Sequence, residues 1–187
     1  MDTNSLAIVC YTGGTCGDLI SAMIDYHDAT FTVFKTVKHA DRRQRLKKPH
    51  LFTTTEEKNQ YLVEVAQQYN SIPSHDLDYH VQQQHKFISI IVEDATVAQW
   101  AANRFKQLHR PHVWEDMSRQ CGASTVDEYA QMLIDYSNMV KKHTDRIISL
   151  ESIKNGQGID ALEQVYGPIS QQGKNIYKNW YNLQCSL

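Results

Sequence analysis

At 187 residues the chain is long enough for one domain with a sizeable core. Hydrophobic side chains make up 41% and charged ones 21%, which is an ordinary globular balance and excludes a disordered or fibrous chain. With 19 basic against 21 acidic side chains the net charge is −2, so no global field recruits nucleic acid and any basic surface must be local.

The chain opens on the polar Met1-Asp2-Thr3-Asn4, without the charged and apolar regions of a signal peptide. No apolar run approaches the ~20 residues needed to cross a bilayer. A cytoplasmic protein with no membrane partner is therefore expected. Cys10, Cys16, Cys121 and Cys185 are scattered without a CxxC pair, a pattern of reduced thiols. Leu6 to Tyr11 is an apolar run of strand length. It stops at Thr12-Gly13-Gly14-Thr15-Cys16-Gly17, and a helical pattern follows at once, from about Asp18 to Asp28, with Leu19, Met23 and Tyr26 at helical spacing and Ile20 and Ile24 widening the stripe. Three glycines in five residues let the backbone double back, and the next helix points its unpaired N–H groups into the turn, which makes an anion site. The alternative is a tight strand-to-helix turn that binds nothing. Thr15 and Asp18 are placed as a capping pair.

Phe31 to Val37 reads as a second strand with imperfect alternation. The basic stretch from Lys35 to Lys48 follows, either a solvated face or a contact for phosphates. Thr53-x-x-Glu56 predicts a capping box and a helix with Tyr61, Leu62, Val65, Ala66 and Tyr69 on one face. Asn70 to Asp76 reads as a short strand ending in a polar turn. Phe87 to Val92 is the clearest strand, β-branched and nearly all apolar, as for a strand covered on both faces. The helix after Glu93-Asp94 carries Val97, Ala101, Phe105 and Leu108 at helical spacing, and Pro111 is expected to stop it. Thr125-x-x-Glu128 opens another helix with Tyr129, Leu133, Tyr136 and Val140 on one face. Arg146 to Leu150 is a further strand. A short helix spans Ile159 to Tyr166, and Gly167 is placed to end it. Ile176, Tyr177, Trp180 and Leu183 give a closing amphipathic helix.

Strands alternating with helices predict a three-layer α/β sandwich with a mainly parallel sheet, all in a single domain over 1–187. Ligands of such sheets sit beyond the carboxyl ends of the strands, where Gly13, His75, Glu93 and Glu151 would gather. His75 lies in the range of a general base because imidazole titrates near neutrality; its alternative is a turn histidine among Ser74 and Asp76. His80 and His85, five apart with no cysteine nearby, lack metal-ligand spacing, so no metal site is expected. Cys16, at a helix start, is a candidate for a lowered thiol pKa. Trp100, Trp114 and Trp180 read as core or interface aromatics.

The order of elements resembles the P-loop fold, and most closely its sulfotransferase-like branch, including the small versions carried by phages. The resemblance rests on Ile8 to Gly17, on Ser74-His75, on the strand at Phe87 with the helix of Trp100 and Arg104, and on Ile147 to Glu151 leading into a helix. It implies that Gly13, Gly14, Thr15, Cys16 and Gly17 line a phosphate site, with the Thr15 hydroxyl contributing. It also implies Arg104 on a second phosphate and His75 as the base. The implied cofactor is an adenine nucleotide: 3′-phosphoadenosine 5′-phosphosulfate for sulfuryl transfer, or ATP with Mg²⁺ for a kinase-like variant. The partners are that donor, an acceptor, and nucleic acid or a host protein along Lys35–Lys48. A P-loop-like binding protein without catalysis, such as a phage factor acting on a host component, is the alternative.

The pattern departs from a Walker loop where aligning its second glycine on Gly17 puts Asp18 at the lysine. A carboxylate 4 Å from a phosphate costs up to ~4 kcal/mol at an effective dielectric near 20. A surface helix terminus returns ~0.3–1 kcal/mol. Either Asp18 turns away to cap Thr15, or the phosphate needs a cation from elsewhere, Lys35–Lys48 included.

Overall fold

The computed structural model describes residues 6–25, 52–109 and 111–185. The expected strand over Phe31–Val37 and the basic stretch Lys35–Lys48 lie outside these residues.

Four strands form one sheet: β1 (Ala7–Cys10), β2 (Ser71–Ser74), β3 (Phe87–Ile91) and β4 (Ile147–Ser149), in the order β2-β1-β3-β4. All neighbours are parallel, with Ala7 opposite Ser71, Ile8 opposite Phe87 and Ser89 opposite Ile147. The connections are helical: α1 (Gly17–Ile24) and α2 (Thr55–Ala66) precede β2, and α3 (Leu77–Gln82) precedes β3. Then α4 (Ala95–Leu108), α5 (Pro111–Gln120) and α6 (Val126–Val140) lead to β4. After it come α7 (Leu150–Lys154), α8 (Gly158–Tyr166) and α9 (Gln171–Cys185).

Strand alternation divides the core between the two faces of the sheet. Val9, Ile88, Ile90 and Ile148 face one way, into a core with Leu19, Ile20 and Met23 of α1, Phe105 of α4, Leu133 of α6 and Trp180 of α9. Ile8, Cys10, Phe87 and Ile91 face the other, against Leu62 and Val65 of α2 and Leu77 and Tyr79 of α3. Helices therefore cover both faces, which is why β3 is buried along its whole length and apolar but for Ser89. Among the described residues no helix is long and apolar enough to cross a membrane.

Several boundaries differ from expectation for local reasons. The box that opens α2 is Thr54 with Glu57, one residue later than read. Thr54 Oγ1 accepts from the Glu57 amide, and the Glu57 carboxylate accepts from the amides of Thr53 and Thr54. The Thr-Thr-Thr-Glu-Glu run offers two such registers. Pro111 does stop α4, but it also starts α5, since proline's missing N–H is no loss at a first helical position. The box at Thr125 and Glu128 forms as read, with the Thr125 hydroxyl 3.1 Å from the Glu128 amide. Thr125→Ala is expected to cost about 1 kcal/mol, read as a lower urea midpoint at unchanged m-value. An unchanged midpoint would show that this cap carries no weight.

Candidate functional site

The strand order reverses between β1 and its two neighbours, so the carboxyl end of β1 lies at the switch point of the sheet. Tyr11 extends the pairing there, its amide donating to the Ser74 carbonyl at 3.1 Å. The chain then turns over Thr12 to Thr15. The Thr15 amide and hydroxyl both donate to the Thr12 carbonyl, at 3.3 and 2.8 Å, and Gly14 holds a φ of 90° that favours glycine at the third place of such a turn. Cys16 follows in the left-handed region (φ 64°) as the N-cap of α1 and supplies no side-chain cap.

This geometry corrects two expectations. Thr15 does not cap α1 with Asp18, because its hydroxyl is spent on Thr12 inside the turn and Thr15 is 1% exposed. Asp18 instead hydrogen-bonds the Tyr11 hydroxyl, whose pKa rises chiefly through burial and further through that carboxylate. Cys16 is not a lowered thiol either. Burial pushes it up to about 11, Arg104 pulls it down by less, and Asp18 adds to the rise.

The turn packs onto α4 and α6. A Cβ on Gly13 would lie 2.5 Å from Phe105 and 2.8 Å from the Tyr129 hydroxyl, one on Gly14 would lie 2.7 Å from the Ala101 carbonyl oxygen, and one on Gly17 would lie 2.0 Å from the Tyr11 ring. Tyr129 also donates to the Gly13 carbonyl at 3.2 Å. The glycines thus allow close approach to protein on one side. Their N–H groups are another matter. Among the described residues the amides of Gly13, Gly14, Cys16 and Gly17 have no hydrogen-bond acceptor, although Gly17 is buried and the other three are half-buried.

The other predicted residues stand around this turn. His75, following β2, packs against the Tyr11 ring at a 50° tilt with centroids 4.2 Å apart, and its Nδ1 lies 2.9 Å from the Tyr11 carbonyl oxygen. A carbonyl only accepts, so Nδ1 carries the proton and Nε2 is the basic nitrogen of the neutral ring. Arg104 of α4 lies close enough to Cys16 to act on its thiol. Its guanidinium sits between two indoles, 5.5 Å from Trp100 and 5.3 Å from Trp180. At the neighbouring strand ends the amides of Glu93 and Asp94 donate to Glu151 Oε1, at 3.0 and 2.9 Å. Glu93 is also ion-paired with Lys141. Of the four strand-end residues, His75 meets the end of β1 at Tyr11, and Glu93 pairs with Glu151 in an arrangement closed on itself.

Sequence reasoning missed Phe105 and Tyr129 as supports of the turn, because packing across more than ninety residues leaves no local signal, and it missed Tyr11, six residues before Gly17, because spacing does not say which way its ring folds. It also missed a histidine pair. Gln84 adopts φ 55° after α3, and the amides of Gln84 and His85 donate to the carbonyls of Val81 and His80, a Schellman ending with glutamine in glycine's place. That reversal brings His85 Nδ1 to 3.1 Å from His80 Nδ1, while His80 Nε2 meets the Ser74 hydroxyl at 2.8 Å. Among the described residues no three His, Cys, Asp or Glu side chains are grouped so as to hold a metal ion.

No protein-family model, curated protein or solved structure matches the chain.

Proposed function

We propose that the carboxyl end of β1 binds the phosphate of an adenine nucleotide, and that the protein is a group transferase of the sulfotransferase-like kind. The observation that carries this reading is the set of four loop amides without a protein acceptor, at the switch point of a parallel sheet. The donor set fits one phosphate group. The amides of Gly13, Gly14, Cys16 and Gly17 would hold its oxygens, and Arg104 supplies the cation that the loop lacks. Asp18 opposes this, and its hydrogen bond from Tyr11 offsets part of the repulsion. When bound, the nucleotide would supply the activated sulfuryl or phosphoryl group. The chain's own part is to orient it through the turn and to receive the acceptor's proton at His75 Nε2.

One observation favours the second reading, a binding protein without catalysis. Glu151 fills the amide pair at the end of β3, so the protein's own carboxylate sits where a second substrate anion would be met.

Thermal shift separates the readings. At a hundredfold excess over Kd, 3′-phosphoadenosine 5′-phosphate is expected to stabilise the protein by about 2.7 kcal/mol, roughly 5–10 °C in Tm. Arg104→Gln should abolish the shift. Stabilisation that requires ATP with Mg²⁺ would move the reading to a kinase. If no adenine nucleotide stabilises the protein, the nucleotide reading is wrong. A side chain placed at Gly14 is a poor test, because it would meet the Ala101 carbonyl whatever the ligand.

A further inference from the structure

At the opposite end of the sheet, the segments leading into β3 and β4 enclose a cleft of about 710 Å³, well within the range of small-molecule sites. One wall is the end of α3 with His85 and Lys86, and the other runs from Lys142 to Arg146. Both walls are fixed. The Thr144 hydroxyl donates to the Phe87 carbonyl at 2.9 Å, and the Ser89 amide donates to the Arg146 carbonyl at 2.9 Å. Arg146 Nε and Nη2 donate to the Val165 carbonyl at 3.2 and 3.1 Å, which leaves three of the five guanidinium N–H donors for another partner.

The charge of this cleft is unbalanced. Lys86, Lys142 and Arg146 face Asp145, a formal excess of two positive charges, and His85 and His143 line the same space. Lys58, Lys141 and Lys174 are each ion-paired, whereas Lys86 and Lys142 have no ion-pair partner among the described residues. The bland account is that these cations offset the carboxyl-terminal dipoles of α3 and α6. Two helix ends amount to about one negative charge at most, so an excess remains. Burial lowers the pKa of His85, which keeps a neutral ring available as a hydrogen-bond partner rather than a fourth cation.

We propose that this cleft is a second anion site, for a small molecule carrying two or more phosphate groups, held by Lys86, Lys142 and Arg146. It is independent of the reading of the β1 turn. A nucleic-acid strand fits less well, because Phe87, the one Phe, Tyr or Trp in the lining, is buried and gives no stacking platform.

Isothermal titration of the intact protein with inorganic tripolyphosphate tests the site. Saturable binding is expected, at least tenfold tighter than for orthophosphate. It should weaken at least tenfold in the double variant Lys86→Glu/Lys142→Glu, and at least threefold in Lys86→Gln/Lys142→Gln should the charge reversal fail to fold. Lys106→Gln, a lysine of α4 outside the cleft lining, should bind within twofold of the parent. The proposal is overturned if tripolyphosphate does not bind, or if binding is lost in Arg104→Gln and kept in the double lysine variants, which would locate it at the β1 turn. It is equally overturned if a 20-mer oligonucleotide binds through these lysines while tripolyphosphate does not.

Discussion

Gly173→Ala is expected to destabilise the protein by about 2–3 kcal/mol, roughly 5–10 °C in Tm. The sign is the informative part, because alanine in a helix interior ordinarily gains about 1 kcal/mol over glycine. Gly173 lies within α9, which packs on α1, and a Cβ there would sit 2.0 Å from the carbonyl oxygen of Met23. That neighbour is backbone, so it cannot swing aside as a side-chain tip would. The helices must separate, and Met23, wholly buried between them, loses contacts on one side. Calorimetry or urea unfolding decides the matter: a variant that matches or exceeds the parent would mean that α9 does not approach α1 this closely.

Acidification from pH 6.5 to 5 is expected to remove about 2 kcal/mol of stability through His80. The ring is 0% exposed, and burial, reinforced by the neighbouring His85, lowers its pKa from 6.5 to about 3. The unfolded chain thus binds a proton in this window that the folded chain refuses. Stability is complete above about pH 6.5 and falls as the pH drops toward 3. The slope is about 1.4 kcal/mol per pH unit for one proton, with a further contribution from His85, whose pKa burial also lowers. Glu57, Asp94 and Glu163 are held below their usual range, chiefly by hydrogen bonds, so they weaken the fold only as the pH falls below about 4.5. The interval from 6.5 to 5 therefore isolates the histidines. His80→Gln, which keeps a partner for Ser74, should flatten the slope by about half or more. Equal slopes in parent and variant would show that His80 is not held neutral.

The layered α/β architecture was legible because its strands and longer helices carry strong periodic signals. Phe87 to Ile91 is apolar but for Ser89 and buried throughout, and Leu19 with Met23, Val97 with Ala101 and Phe105, and Tyr177 with Trp180 all reach the core as their spacing implies. The stripes overrun at their ends, where Leu108 and Leu183 are exposed at 39% and 44%, since periodicity does not report where a partner helix stops. The six residues of α3 are too few to show a period. Its start is set by Asp76, whose carboxylate accepts from the Tyr79 amide and also pairs with Lys58 of α2, a contact distant in sequence.

The candidate site was half legible. Gly13, Gly14 and Gly17 mark a turn, and residue types tell where a chain bends. They do not tell whether the space freed by a missing side chain faces a ligand or another part of the protein, and here it faces Phe105, Ala101 and Tyr11. The hydroxyl of Thr15 and the thiol of Cys16 were misread for the same reason: hydrogen bonding and burial are properties of the folded neighbourhood. His80 and His85 lack metal-ligand spacing in the sequence, and the contact between their rings arises from the left-handed Gln84 between them, which spacing alone does not reveal.

The register of the sheet also bears on how the chain is made. Ala7 cannot meet Ser71, nor Ser89 meet Ile147, until the intervening helices have left the ribosome. The apolar segment at β1 therefore emerges with its backbone paired only to water, and closing each such gap carries an entropic cost before any ladder forms. Nascent chains of this kind expose sticky segments early and complete their cores late, which makes them natural clients for co-translational chaperones.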